Sequence, residues 1–431
     1  MSGREDRFKK IPTKDLKVGM FVEDVGRSWL RHPWLKKKKL VTDQETVKEL
    51  LEYGISEVVI DLARSVTLAQ IGREVEPARP PADEVETGAQ SRGPAGIEEL
   101  ERRKTPRPET PGEPVHVLDE MPQARQAYRR ALDVTREFIT EARAGRKVEV
   151  EKAQETVEQM IDSVFRNRGA LLALTNLRKY DEYTFTHSLN VSVLAVSMGR
   201  HLDLRRSDLR RLGLGAMFHD LGKTGIPNAI LNKPGPLTEE EFEIIKKHPV
   251  IGAQIMERHQ GVSPYMVDMV RHHHERLDGS GYPDGLSGGQ LEPHVLISGL
   301  SDIYDALSSD RAYHKGLPPH QALRVLFTLR DKQFPANLLD RFIQSLGIYP
   351  AGTTIRLNTG EIGVVFAVNH GSLLRPQIIL VLDSDGDPVI SNKLMNLNAK
   401  QFADREIAEV VDPENFDVDP ARYFLKDEFE G

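Results

Sequence analysis

The chain has 431 residues, a formal net charge of −7, 39% apolar and 29% charged residues, and no cysteine. That length allows two or three domains of ordinary size, and the lack of cysteine excludes disulfides, thiolate-bound zinc or iron–sulfur centres and a cysteine nucleophile. A mildly acidic chain also fits poorly to duplex DNA as main partner, since phosphate neutralisation needs a broad basic face.

Residues 1–71 read as a small α/β module. KVGMFVEDV and SEVVIDL have the Val/Ile content of strands. TDQETVKELLEYG between them has a helical stripe in Val47, Leu50 and Leu51, with Thr42 or Asp43 as cap and Gly54 as stop. The run Lys36 to Lys39 reads as a solvated basic loop. The opening MSGREDRFKK has no apolar signal core, and position 2 is Ser, so neither export nor myristoylation is expected. No segment reaches the ~18 apolar residues of a membrane span. No membrane insertion is expected, and the expected compartment is the cytoplasm.

Residues 72–115 are rich in Pro, Glu, Arg and Gly and poor in large apolar side chains, the composition of a flexible linker. Residues 116–348 are helical in pattern. Leu132, Phe138 and Ile139, then Val157, Met160, Ile161, Val164 and Phe165, recur at three- and four-residue steps, with Gly145 separating two helices. Helical patterns continue from about 182, interrupted by Gly/Pro-rich loops at 222–238 and 278–293. Residues 349–410 switch to a two-residue period: TIRLNTGEIGVVFAVN reads as a hairpin turning at Asn358–Gly360, and RPQIILVLDSDGDPVI as a further pair of strands. The acidic stretch 411–431 is expected to be a mobile tail. The expected fold class is therefore multidomain and mainly α: an all-α catalytic domain with a small N-terminal α/β module and a small C-terminal β domain.

Eleven of the fourteen histidines fall between His187 and His320. The candidates for chemistry are His187, His219, Asp220, His248, His272, His273, His274 and Asp302. His219 and Asp220 end the apolar segment LGLGAMFHD, where two polar groups need a partner. Imidazole with carboxylate suits divalent iron, manganese or zinc. So many donors exceed the roughly three protein ligands of a mononuclear catalytic site. Two metals ~3.5–4 Å apart would use them, and such a pair suits in-line displacement at phosphorus. Lys223 in HDLGKTG lies one turn from His219 and within reach of an oxyanion there. The GKT string is not a P-loop, because Met217 stands where its first glycine belongs. In SDIYDALSSDRAYHKG, Asp302 and Asp305 are three apart and Arg311 is placed to grip phosphate. DSDGD at 383–387 has glycine at the wrong position for an EF-hand and reads as a turn.

Together YTFTHSLNVSVLA, HDLGKTGIPNAILNKPGPLTEEEFEIIKKHPVIG, HHERLDGSGYPDGL and SDIYDALSSDRAY resemble the HD-GYP family of cyclic di-GMP phosphodiesterases, within the HD-domain metal phosphohydrolases. The resemblance covers about 180–345, and residues 8–70 look like a domain of unknown function often found before this unit. It implies a cytoplasmic bacterial signalling hydrolase that cuts cyclic di-GMP to the linear dinucleotide, to GMP, or to both. It implies metal ligands at His187, His219, Asp220, His248, His273, His274 and Asp302, with Asp220 bridging two metals, iron or manganese. It further implies Lys223 at the scissile phosphate or the attacking water, and Arg311 and His314 at the substrate. Gly281, Tyr282 and Pro283 form the signature loop, linked to partner contacts. Some members hold a third metal through a Glu where this chain has Tyr183, so no third metal is expected. Asn228 stands where the family has Asp, and His314 with Lys315 where it has another basic pattern. Alternatives are hydrolysis of another cyclic or linear dinucleotide, or a non-hydrolysing cyclic di-GMP receptor. The long helices at 117–181 also fit a homodimer.

Overall fold

The computed structural model describes residues 8–24, 39–41, 45–52, 55–62, 65, 115–146, 148–175, 183–233, 235, 237–310, 316–369, 371–389 and 394–425. The linker at 72–114, Lys36 to Lys38, Thr42, Asp43, Gly54, Arg311 and His314 lie outside these residues.

The N-terminal module is an antiparallel sheet of β1 (Phe8–Pro12), β2 (Phe21–Asp24), β3 (Lys39–Leu40) and β4 (Glu57–Asp61), in the order β1-β4-β2-β3. Helix α1 (Glu45–Glu52) places Val47 and Leu50 against Val22, Val58 and Ile60. Strand β1 was not expected from the sequence. It is an edge strand whose exposed Lys9 and Lys10 hide a single inward apolar residue, Ile11, opposite Val58.

The body is helical: α2 (Val117–Arg143), α3 (Val150–Arg166), α4 (Arg168–Leu174), α5 (Tyr183–His201), α6 (Arg206–Met217), α7 (Asn228–Leu231), α8 (Glu239–Ile245), α9 (His248–Glu257), α10 (Pro264–His272), α11 (Pro293–Ser308), α12 (Pro319–Phe327) and α13 (Ala336–Leu346). Where two helices are expected before 181, there are three. Asn167 stops α3, and its side chain accepts the amides of Gly169 and Ala170 to cap α4. Helix α5 is the central column. Leu189, Val191, Val193, Leu194, Val196 and Met198 are all buried, so the helix is apolar on every side and neighbours surround it. Pro264, Pro293 and Pro319 start their helices at a position that needs no amide donor. Thr238 and Glu241 form a capping box on α8.

The C-terminal sheet contains β5 (Thr354–Leu357), β6 (Ile362–Ala367), β7 (Gln377–Leu382), β8 (Leu394–Asn396) and β9 (Ile407–Val410), antiparallel, in the order β8-β7-β6-β5-β9. Central β6 is buried on both faces. Its Val364 and Phe366 join the helical core, and Val365 packs with Ile355, Ile378 and Met395. DSDGD is a turn, with Asp383 accepting the amides of Asp385 and Asp387. Beyond it, among the described residues up to Val389, only Pro388 bridges back to Leu382, so the expected strand pair is there one strand and an isolated bridge.

The mobile tail expected from 411 onward is corrected by this fold. Residues up to 425 are placed, ending in α14 (Arg422–Leu425). Phe424 is fully buried and stacks on Phe366 with centroids 5.1 Å apart. Its carbonyl accepts Arg125 Nε from α2 at 3.0 Å. Val411, Phe416, Val418 and Tyr423 also pack against the helical core, so a few apolar side chains among acidic residues fix the segment, and average composition does not reveal them. Among the described residues no helix is long and apolar enough to cross a membrane.

Candidate metal centre

Three of the clustered histidines arise from one local device. His219 follows α6, His248 follows α8 and His273 follows α10. Each Nδ1 lies against the carbonyl three residues back: Ala216 O at 2.8 Å, Ile245 O at 2.7 Å and Val270 O at 2.8 Å. A carbonyl only accepts, so each Nδ1 carries the proton and each Nε2 is left with a lone pair. On α5, His187 reaches the same tautomer differently, with Nδ1 2.7 Å from Asp305 Oδ2. Four rings are thus oriented from behind and present Nε2 inward.

These rings converge on two carboxylates. His187 Nε2 is 3.5 Å from Asp220 Oδ2 and 3.2 Å from Asp302 Oδ1. His219 Nε2 is 3.4 Å from Asp220 Oδ2. On the other side, His248 Nε2 is 3.3 Å and His273 Nε2 3.9 Å from Asp220 Oδ1. His274 completes that side, its Nε2 3.2 Å from His248 Nε2. Two donor groups result, Asp220 with His248, His273 and His274, and His187 with His219 and Asp302; within each the ligand atoms lie within 4.8 Å of one another.

The donors fit divalent cations. His219 Nε2 is buried with no hydrogen-bond partner among the described residues. His248 Nε2 and His273 Nε2 are 3.3 Å apart although both are acceptors in the tautomer their carbonyls impose. Two lone pairs at that distance repel unless a cation sits between them. Burial pushes His219 and His273 below the usual imidazole range and His274 down to about 3, so these rings are neutral, as ligation requires. Burial opposes ionisation of Asp220 and Asp302, yet both are held well below the carboxylate range, Asp220 chiefly by the Lys223 ammonium and Asp302 by the imidazoles packed around it. Lys223 Nζ lies 2.5 Å from Asp220 Oδ2.

The signature loop roofs this cluster. Tyr282 stacks on His274, centroids 4.6 Å apart, and meets Phe242 edge-on at 6.3 Å. The Tyr282–Pro283 peptide is cis. Below the loop, the buried Glu275 carboxylate accepts the amides of Asp284, Gly285 and Leu286 at 2.7–3.0 Å. The sequence reading missed Glu275; the signal was an acid between the histidine run and a Gly-rich loop full of orphan amides. It also treated Asp305 only as an acid near Asp302, whereas Asp305 orients His187. His272 is set apart from the cluster: it bonds Asp268 at 2.7 Å and Asp284 at 2.8 Å, on the outer side of the loop. The next two residues, His273 and His274, face inward, because α10 ends at His272 and the chain turns. The side chains of Arg311 and His314 lie outside the described residues.

The HD domain family model matches residues 156–338. A domain of unknown function, DUF3391, matches residues 8–153, and a KOW domain associated with HD domain matches residues 354–418. A cyclic di-GMP phosphodiesterase of Pseudomonas aeruginosa is 33% identical over 403 residues, covering 92% of this chain and 91% of that protein. The cyclic di-GMP phosphodiesterase response regulator RpfG of Xanthomonas campestris is 34% identical over 42% of this chain and 48% of its own length. A 3′3′-cGAMP-specific phosphodiesterase of Vibrio cholerae is 38% identical over 33% of this chain and 31% of its own.

Proposed function

The chain belongs to the HD-GYP family of HD-domain metal-dependent phosphodiesterases, and from that premise we propose that it hydrolyses cyclic di-GMP with two divalent cations. The observation that carries the two-cation reading is the split of Asp220, with Oδ2 toward His187 and His219 and Oδ1 toward His248 and His273. One carboxylate facing two donor groups is the natural bridge. His187, His219 and Asp302 would hold one cation; His248, His273 and His274 the other. The N/O donor set without thiolate suits iron, manganese or zinc, and the family resemblance selects iron or manganese among them. Bound there, the cations would supply Lewis acidity at the phosphoryl oxygens and lower the pKa of a water for in-line attack.

The remaining roles belong to this chain's own groups. Lys223, on the Asp220 carboxylate, stays in reach of a phosphate oxygen brought to that edge. Tyr282 forms the wall over His274, and its loop with Gly281 and Pro283 is a surface for a protein partner. Arg311 and His314 take the substrate phosphate or guanine on the strength of the family motif. The substrate reading rests on the Pseudomonas relative, which spans nearly the whole chain. The Vibrio relative keeps 3′3′-cGAMP as the second candidate.

The test is hydrolysis of cyclic di-GMP and 3′3′-cGAMP, side by side, by protein loaded anaerobically with Fe2+ or Mn2+. Turnover faster on cyclic di-GMP, and lost in a folded Asp220→Ala variant, is expected. Turnover on 3′3′-cGAMP alone would transfer the assignment to that substrate. Binding of cyclic di-GMP with no turnover, at two metals per chain, would make the protein a receptor.

A further inference from the structure

A buried chain of hydrogen bonds leads from His187 out of the HD-domain match altogether. His187 Nδ1 meets Asp305 Oδ2 at 2.7 Å. Asn190 Nδ2 donates to Asp305 Oδ1 at 2.9 Å, and also to Thr175 O at 3.2 Å. Tyr128 Oη donates to Asn190 Oδ1 at 2.7 Å. Tyr128, Asn190, Asp305 and His187 are all buried, and they come from three helices, α2, α5 and α11.

The direction of every bond in this chain is fixed. The Asp305 carboxylate only accepts, so Asn190 must turn its amide NH2 toward it and its carbonyl toward Tyr128. Tyr128 is then the donor that satisfies that carbonyl. The other Asp305 oxygen takes the His187 Nδ1 proton and leaves Nε2 free. The Asp305 carboxylate thus fixes the tautomer of His187, and the Tyr128 hydroxyl, by holding Asn190, fixes the place of that carboxylate and with it the ring position of His187. The same helix touches the same donor group at a second place: Phe138 stacks on Phe218 with centroids 3.7 Å apart, and Phe218 precedes His219.

We propose that α2, within the segment matching the domain of unknown function, is a built part of the metal centre, with Tyr128 as a positioning residue that sets cation affinity in the His187–His219–Asp302 group. The proposal rests on the reading that this group holds a cation. Among the described residues the other donor group has no such tie: His248 is oriented by the carbonyl of Ile245 at the end of α8, and His273 by that of Val270 in α10. A change in α2 thus acts on one group and spares the other. This gives the segment before the HD match a function, control of metal loading, without requiring it to bind substrate.

The test is a metal titration, independent of activity. Metal-stripped full-length protein is titrated with Mn2+, free Mn2+ is counted by its EPR signal, and the unfolding midpoint of the stripped protein is measured alongside. Wild type is expected to take up two Mn2+. Tyr128→Phe should weaken one step about 10–100-fold, the usual range for losing an outer-shell partner, and leave the other unchanged. Asp305→Asn should weaken the same step at least as much. Met121→Ala, buried in the same helix, should lower the unfolding midpoint without separating the steps. If Tyr128→Phe does not fold, the isosteric Asn190→Asp, which sets a carboxylate against Asp305, takes its place with the same expectation. Two steps at wild-type affinity, or two steps weakened alike as the midpoint falls, would overturn the proposal. A wild type that binds no Mn2+ at all would instead overturn the metal reading beneath it.

Discussion

A Cβ added at Gly281 would lie 2.4 Å from Glu275 Cα, 2.6 Å from Arg276 N and 2.6 Å from His274 O. All three are main-chain atoms of the segment that carries His274, so no side-chain rotation relieves the clash. The glycine is required by close approach alone. Gly281→Ala must lift the loop, and with it the Tyr282 ring from His274. A displacement of about 1 Å in a positioning element costs on the order of 10²-fold in rate, and kcat/KM on cyclic di-GMP should fall by that order. Measured in parallel, bound metal should stay at the wild-type count, because none of the seven donors is in the loop. Single residues were the part of the site most legible in the sequence. His219 and Asp220 stand out because they end an apolar segment, and His187, His248, His273, His274 and Asp302 join them through the clustering of histidines and the family resemblance. Glu275 and the Asn190–Tyr128 pair did not stand out. Their partners are loop amides, or residues 62 and 115 positions away, and pairing at that range becomes visible only once the helices are packed.

At the scale of elements, α12 shows how the N-terminal module is attached. Leu317, just before α12, packs into the core of Ile11, Val22 and Ile60, with Leu307 and Val325 at its margin. Leu317 N bonds Leu307 O at 2.7 Å, so the contact lies close to the end of α11, the helix of Asp302 and Asp305. In α12, His320 is buried with Nδ1 unpartnered. Burial, with Arg324 and Lys17 adding to it, pushes the ring down to about 3. An unfolded histidine titrates near 6.5. Between those values the unfolded chain binds the extra proton, so stability is intact above about pH 6.5 and is lost as pH falls toward 3. The slope is about 1.4 kcal/mol per pH unit, or roughly 2 kcal/mol by pH 5. His320→Leu should lessen the drop in urea-unfolding free energy between pH 7 and pH 5 by about that amount. An unchanged drop would mean that the ring is protonated in place. The sequence offered the helical period here but not the burial of His320, because the N-terminal module that packs on Leu317 and brings Lys17 near the ring is remote in the chain. Pro264, Pro293, Pro319 and Thr238 are local signals of helix starts that the sequence carries but the sequence reading did not use. The break at Asn167 was not legible, since a capping Asn between Arg166 and Arg168 looks like part of the polar face of one continuous helix.

At the scale of the whole molecule, α2 connects parts that the domain order keeps separate. Arg125 holds the C-terminal segment through the Phe424 carbonyl at 3.0 Å. Tyr128, three residues on and therefore on the same face, holds the chain to His187. Phe138 sits on Phe218. The tail, the β sheet through Phe366, and the candidate metal centre are thus fixed to a single 27-residue helix. The domain order could be read from composition and periodicity, but this arrangement could not, because it depends on one arginine and three aromatic rings whose neighbours are remote in sequence. It makes the tail part of the same mechanical unit. Phe424→Ala removes a fully buried ring and should cost about 3–5 kcal/mol in unfolding free energy. It also loosens the backbone carbonyl that Arg125 grips, one turn from Tyr128. The Mn2+ step weakened by Tyr128→Phe should therefore weaken in Phe424→Ala too, by a smaller factor, while the second step stays put. Loss of stability with both steps unmoved would show that the tail anchors only the sheet, and that α2 keeps its register at Tyr128 through its own packing on α5.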